Sequence, residues 1–366
     1  MSQLLRRISS SLGKKERLCF SELRWFSTAA ATPSPSPFVL CNETNARRSR
    51  VSDGARVVVV DINLYDPRKD ETVEIPDQTL PEELYPSMKI GSSRGWVGVK
   101  DMRNSNVLLT NIFNPSASVS SHKVITLPPL QDSEAHISSI SLSASPDHED
   151  CVVAATTTRP SLYLCRPGDS EWIHTKIPHF NMQMMYSARD RQFYLRSWKN
   201  EENGAPLDLF KTSSGFPQVS LYQSFPNSDI LQVSSPNTDQ YLVESPSGES
   251  FIVCWCNKLA NREEVVSPDS ASYVLKPTGF AVFRQDHKKK IASYTDDIGD
   301  LCIFLGKGEE AFCVSASEYP GLKPNSVYYA RYDTGLGFYD LSSNTLHEVT
   351  VPAALSRFFL CLAPLH

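Results

Sequence analysis

Residues 137–177 read ISSISLSASPDHEDCVVAATTTRPSLYLCRPGDSEWIHTKI. Four short runs, Ile137 to Ala144, Cys151 to Ala155, Ser161 to Cys165 and Glu171 to Ile177, are separated by Ser145-Pro146-Asp147, Arg159-Pro160 and Pro167-Gly168-Asp169. The runs are strand length, and the separators have turn compositions. The same rhythm extends in both directions. Upstream stand the β-branched run Val57-Val58-Val59-Val60, then Gly95 to Val99, Val107 to Phe113 and Lys123 to Leu127. Downstream it continues through Met182 to Tyr186, Gln192 to Arg196, Leu207 to Lys211, Val219 to Gln223, Gln240 to Glu244, Ser250 to Cys256, Ser272 to Leu275 and Gly279 to Arg284. The last third adds Lys290 to Tyr294, Leu301 to Leu305, Ala311 to Val314, Ser326 to Ala330, Gly337 to Asp340 and Leu346 to Val351. No segment between residues 56 and 355 sustains helical apolar spacing for three turns. The helical turn most expected is near Leu80 to Leu84, and Glu318 to Gly321 is read as closing another short one.

An all-β chain with this many short strands is a propeller or a pair of sandwiches. Sandwiches predict a linker near the middle, and composition shows no break there. Several units end in an Ile/Leu-Pro step, as in Ile125-Thr126-Leu127-Pro128 and Trp172 to Pro178. Their spacing of about 45–50 residues suits four-stranded blades. Residues 56–366 are therefore expected to form a six- or seven-bladed β-propeller. The apolar Arg357-Phe358-Phe359-Leu360-Cys361-Leu362 is expected to close the ring by pairing with N-terminal strands, which removes two exposed edges.

Composition sets outer bounds. The 366 residues are 40% hydrophobic and 21% charged, which is globular rather than disordered. No apolar stretch approaches the length of a membrane span. A formal charge of −5 argues against a general nucleic-acid binder.

The charge is unevenly placed. Residues 1–30 carry six basic and two acidic side chains, a charge of +4, which leaves −9 on residues 31–366. On a helical wheel Leu4, Leu5, Ile8, Leu12 and Cys19 share one arc, while Arg6, Arg7, Lys14 and Arg17 lie opposite; Lys15 is the exception. This Arg-rich, Ser-rich, acid-poor amphipathic form is expected of a cleavable mitochondrial transit peptide over residues 1–30. Arg24-Trp25-Phe26-Ser27 resembles the processing site of such presequences. Chloroplast or dual targeting is the alternative. Residues 31–55, opening with Ala31-Thr32-Pro33-Ser34-Pro35-Ser36-Pro37, are expected to be a flexible linker.

Ile298 to Gly306 followed by Ser317-Glu318-Tyr319-Pro320-Gly321-Leu322-Lys323-Pro324-Asn325-Ser326-Val327-Tyr328-Tyr329 resembles the plant family built on the domain of unknown function 295, the KIB-type β-propeller. Ser93-Arg94-Gly95-Trp96, Phe113-Asn114-Pro115, Ile125 to Pro128 and Phe283 to Tyr294 are also similar. The resemblance covers roughly residues 56–366. It implies a propeller that selects a protein, in many members as the substrate-recognition subunit of a Skp1-cullin-F-box ubiquitin ligase. Residues 1–55 lack the helices of an F-box, so an organellar branch of the family is expected instead.

Catalytic chemistry is not legible. The chain has no Gly-x-Ser-x-Gly elbow, Gly-Lys-Ser/Thr phosphate loop or paired-His metalloprotease signature. Nine cysteines form no disulfide framework. Cys254-Trp255-Cys256 puts two thiols on one side of a strand, but no second tight Cys/His pair completes a zinc site, and small buried side chains fit better. Asp296-Asp297-Ile298-Gly299-Asp300 lacks the ligand spacing of an EF-hand and reads as a hairpin turn. His287-Lys288-Lys289-Lys290 reads as a solvated turn, and His174 and His179 stand without catalytic partners. Trp172, Trp198, Trp255, Tyr328 and Tyr329 read as blade packing. Tyr319-Pro320-Gly321 with Asn325 reads as a rigid fold turn. No catalytic, cofactor or metal residue is assigned. The expectation is a non-catalytic mitochondrial β-propeller that binds a protein partner, without membrane insertion, and meets the import machinery through residues 1–30.

Overall fold

The computed structural model describes residues 36–50, 56–104, 106–130, 136–177, 183–196, 208–210, 215–222, 225, 227, 230, 233, 238–259, 275–332, 334–350 and 358–365. Residues 1–30, expected to be a transit peptide, the Pro/Ser run up to residue 35, His179 and Trp198 lie outside them. Among the described residues twenty-five strands follow in chain order. They are β1 (Phe38–Arg50), β2 (Arg56–Asp66), β3 (Glu71–Pro81), β4 (Ser87–Ser93), β5 (Trp96–Asp101), β6 (Val107–Thr110), β7 (Val124–Thr126), β8 (Ile137–Leu142) and β9 (Val153–Thr157). Next come β10 (Ser161–Cys165), β11 (Ile173–Lys176), β12 (Gln183–Ser187), β13 (Gln192–Arg196), β14 (Asp208–Phe210), β15 (Val219–Leu221), β16 (Thr238–Glu244) and β17 (Ser250–Leu259). The chain ends with β18 (Leu275–Asp286), β19 (Ile291–Thr295), β20 (Leu301–Gly306), β21 (Phe312–Ser315), β22 (Ser326–Arg331), β23 (Gly335–Asp340), β24 (Thr345–Val349) and β25 (Leu360–Leu362). Short 3-10 turns at Glu82–Leu84 and Ala316–Glu318 fall where helical turns were expected. No helix among the described residues is long and apolar enough to cross a membrane.

The strands form six sheets, which fixes six blades between the expected alternatives. Blades 1 to 4 are β4–β7, β8–β11, β12–β15 and β16–β19; blade 5 is β21-β20-β22-β23-β24; blade 6 is β25-β1-β2-β3. Strand alternation explains why they pack as a ring. Along β17, Phe251, Val253 and Trp255 enter the core shared with blade 5, while Ile252, Cys254 and Cys256 enter the core shared with blade 3. Every blade is therefore apolar on both faces. The buried side chains fall into six cores, one for each junction from blades 1/2 round to 6/1. The Leu-Pro step belongs to one of these junctions: Leu127 is buried, and Trp172 Nε1 of the next blade donates to the Pro128 carbonyl at 2.6 Å.

Ring closure is as expected. Leu360, Cys361 and Leu362 of β25 pair antiparallel with Leu40, Val39 and Phe38 of β1, so the chain's two ends share blade 6. The linker assignment, however, is corrected. Residues 38–50 of the stretch 31–55 are strand β1, and the folded body begins before Arg56. Phe38, Val39, Leu40 and Cys41 are buried, whereas Asn45–Arg50 is exposed. The polar second half masks a strand that β2 holds by pairing as far as Arg50↔Arg56.

Closure rests on few side chains, so a single truncation there should be felt. Leu362→Ala should cost about 2–5 kcal/mol, as for other buried leucines. Ile173→Ala, on the exposed outer strand of blade 2, should stay within about 0.5 kcal/mol. Urea unfolding of both variants checks the contrast.

Candidate functional site at the propeller axis

The strand order of blade 5 places the β20–β21 connection at the centre of the ring. β21 folds back along the inner edge of β20, whose other edge pairs parallel with β22. Lys307 is exposed at the start of the connection; Gly308 and Glu309 are buried. Blade 5 stands opposite blade 2 in a ring of six, and the connection reaches across. Ile140 N of blade 2 donates to Gly308 O at 3.3 Å, and Glu310 N donates to Ser92 O of blade 1 at 3.0 Å. Tyr186 N of blade 3 donates to Glu310 Oε1 at 2.9 Å, and Cys361 N of blade 6 donates to Glu309 Oε2 at 2.7 Å. One loop thus ties blade 5 to four others and plugs the axis.

Two glycines make the plug possible. A Cβ at position 306 would overlap the Glu309 carboxyl. Gly308 has φ +80°, and a Cβ there would meet the Ser138 carbonyl oxygen at 2.9 Å.

The two carboxyls have different surroundings. Glu309 is 1% exposed. Ser92 Oγ lies 2.9 Å from its Oε2 and 2.7 Å from the Cys361 carbonyl oxygen. A serine has one hydroxyl proton. Given to the carbonyl, it leaves Ser92 Oγ as acceptor, and only a protonated Glu309 can donate to it. Oε1 has no partner among the described residues. Burial pushes the Glu309 carboxyl up to about 8, opposed only in part by Ser92 and Cys361. Glu310 is less enclosed. Its Oε2 accepts from Ser93 Oγ. Burial raises its pKa, and Arg94 leads the groups that counter the rise. Arg94 is exposed above the plug, with Nε donating to Leu142 O at 2.7 Å and its guanidinium 5.6 Å from the Tyr186 ring.

This geometry can hold a proton and lock blades together. A shallow depression beside the plug, lined by Gln183, Met184, Tyr241, Leu242 and Ala311, leaves no space for even a water-sized molecule. Among the described residues no group of three or more His, Cys, Asp or Glu is placed to hold a metal ion.

The residues weighed from sequence lie elsewhere. Cys254 and Cys256 share the blade 3/4 core, and burial raises both thiols, that of Cys256 to about 11. Asp296–Asp300 forms a turn in which Gly299 N donates to Asp297 Oδ1 at 2.8 Å and Ile298 N to Asn325 Oδ1 at 2.9 Å. Asp286 caps the lysine turn through Lys288 N at 3.0 Å and Lys289 N at 2.9 Å. His174 stacks on Tyr163 with centroids 5.5 Å apart. Trp172, Trp255, Tyr328 and Tyr329 are buried. Gly321 packs against the Arg68 backbone of blade 6, so the Tyr319–Asn325 stretch joins two blades. Glu309 and Glu310 were not singled out from sequence. Gly306-Lys307-Gly308-Glu309-Glu310 has the composition of a solvated turn, and its two glycines were the available signal.

Fold and axis together define a six-bladed β-propeller with a filled centre. Residues 64–345 match the family described as the KIB1-4 beta-propeller, and the chain belongs to that family. No curated protein matches the sequence. Among solved structures, the β-propeller domain of Myceliophteria thermophila Cps50 (Swd1) is 12% identical, with 83% of each chain covered and a TM-score of 0.33. The RRP9 WD40 repeats are 10% identical over 92% of this chain and 99% of that one, with a TM-score of 0.32. The dihydro-heme d1 dehydrogenase NirN in complex with DHE is 12% identical over 94% and 76%, with a TM-score of 0.31. None of these likenesses bears on function.

The Glu309 carboxyl makes stability depend on pH. Its folded-state value near 8 exceeds the ordinary 4.5, so the folded chain binds the extra proton between these values. The stabilisation is full below about 4.5 and is lost as pH rises through about 8. Glu309→Gln should remove this slope, which amounts to a few kcal/mol at most. Melting temperatures of wild type and variant at pH 6 and pH 8.5 check it: the wild type should lose more.

Proposed function

We propose that this protein is a non-catalytic mitochondrial β-propeller that binds a protein partner through its outer surfaces. The observation that carries the reading is the plug. Gly308–Glu310 occupies the axis, where propellers that act on small molecules need an opening, and its polar groups are engaged by four other blades. Recognition is left to blade edges and connecting loops. The mitochondrial part of the reading rests on the amphipathic charge pattern of residues 1–30, in an organellar branch of the family.

The localisation arm uses residues 1–30 fused to a fluorescent reporter, which should reach mitochondria. Replacing Arg6, Arg7, Lys14 and Arg17 by Glu should abolish import, since the membrane potential is worth about 2.3 kcal/mol per charge for each 100 mV. The mature chain should begin at or just after Ser27. A cytosolic protein that retains Met1 would sink the assignment. In the binding arm, tagged protein purified from mitochondria should bring down one reproducible partner. Recovery of the propeller alone contradicts the binding reading, and direct capture of a Skp1-type subunit replaces it with the ubiquitin-adaptor role.

A further inference from the structure

Blades 1 and 3 leave their inner strands, β4 and β12, through turns that carry arginine. The β4–β5 connection is Arg94-Gly95, with Ser93 paired to Trp96 and φ at +51° and +78°. A two-residue loop with both φ values positive favours Asn-Gly. The β12–β13 connection ends on Arg191 at φ +54°. Among the described residues eight non-glycine positions have positive φ. Five are Asn or Asp, which tolerate it, and Arg94 and Arg191 are two of the other three. This conformation costs an arginine free energy, and side chains held in it cluster at ligand clamps.

The two side chains converge over the plug. Arg94 Nε donates to Leu142 O of blade 2 at 2.7 Å, which carries the guanidinium to within 5.6 Å of the Tyr186 ring centroid of blade 3. The charges of Arg94 and Arg191 both act on the Tyr186 hydroxyl, lowering a pKa that burial raises. Tyr186 is itself fixed: its amide donates to Glu310 Oε1 at 2.9 Å, and its ring meets Phe193 edge to face at 4.9 Å. Glu310 below is bonded by Ser93 and by that amide, while both arginines are exposed. Two guanidiniums and a phenolic hydroxyl are thus gathered at one end of the axis.

We infer that Arg94 and Arg191, with the Tyr186 hydroxyl, form a binding site for a phosphorylated serine or threonine of a partner protein. The inference deepens the protein-binding reading and rests on it. A phosphate ester carries close to two negative charges and three acceptor oxygens, which matches two guanidiniums and a hydroxyl; a carboxylate brings one charge and two oxygens. The surroundings suit a single anion rather than a chain of them. Arg94 and Asp147 both act on the Cys151 thiol, which sets the β8–β9 connection, with exposed Glu149 and Asp150, beside the site. Asp190 adjoins Arg191. These carboxylates repel nucleic acid. A lipid surface would need apolar side chains to bury, and among the described residues neither turn carries an exposed large apolar one.

The probe is a fluorescent, end-capped Ala-Gly-phosphoserine-Gly-Ala peptide, titrated against the full chain by anisotropy. It should bind the wild type, more weakly as salt rises, and the same peptide with unmodified serine should not bind. Asn accepts left-handed turns, so R94N/R191N should keep the wild-type circular dichroism spectrum and melting temperature while affinity falls by about tenfold or more. Tyr186→Phe should cause a smaller loss, that of one hydrogen bond. No binding to wild type, equal binding of the unmodified peptide or of one with Glu in place of phosphoserine, equal binding to R94N/R191N, or inorganic phosphate binding as tightly as the peptide would each overturn the site. A partner captured from mitochondria equally by wild type and R94N/R191N, before and after phosphatase treatment, would also overturn it while leaving the protein-binding reading intact.

Discussion

Every blade of this protein is apolar on both faces, and that constraint governs the rest of the structure. A sheet of this kind has no solvent side, so each blade needs two neighbours, and only a closed ring supplies them all. The three residue pairs between β25 and β1 complete it. Beside this junction, Lys89 is buried against Glu43 and stands 4.7 Å from the Phe113 ring centroid and 5.4 Å from that of Phe358. Burial lowers the Lys89 pKa while Glu43 opposes the change. A buried ion pair adds little net stability, but losing either partner strands a charge, so the pair ties the register of blades 1 and 6 to closure.

A ring whose blades meet side to side still leaves an axis to fill. Here polar backbone fills it. Buried polar networks are costly when partly satisfied and specific when satisfied. The plug is mostly the latter, since its carboxyls take amide protons from blades 3 and 6 and its backbone bonds to blades 1 and 2. Glu309 is the tension point: an ionised carboxylate there would sit without a cation, since the groups that act on it are Ser92 and Cys361. Keeping the proton resolves the conflict, in the way a desolvated acid ordinarily does.

Much of the fold was legible because strand chemistry is local. Val57–Val60 announced β2, and turn compositions bounded the strands of blade 2. The missed strands show where local reading fails. β3 contains Pro76 and ends at Pro81, which an outer strand tolerates through a bulge, and β4 is largely Ser, Lys and Gly because inner strands meet at close quarters. In β1 the arginines outweigh the four buried residues that anchor it. The blade count needed the ring itself, since loose spacing allowed six or seven. At the axis the limit was sharper. Glu309–Glu310 and Asp296–Asp300 look alike as sequence, two acidic turns near glycine. One is buried by five blades and the other is a surface turn, and that difference comes from tertiary placement alone.

The plug is best tested by native-state hydrogen exchange at Ile140, Glu310 and Cys361, the amides that donate to Gly308 O, Ser92 O and Glu309 Oε2. A closed axis requires these three to exchange only through global unfolding, with protection equal to that of buried strand amides such as those of β17. Exchange at the rate of an exposed loop while β17 stays protected would mean that the axis is open, and it would contradict the account of this propeller as a sealed ring that binds at its edges.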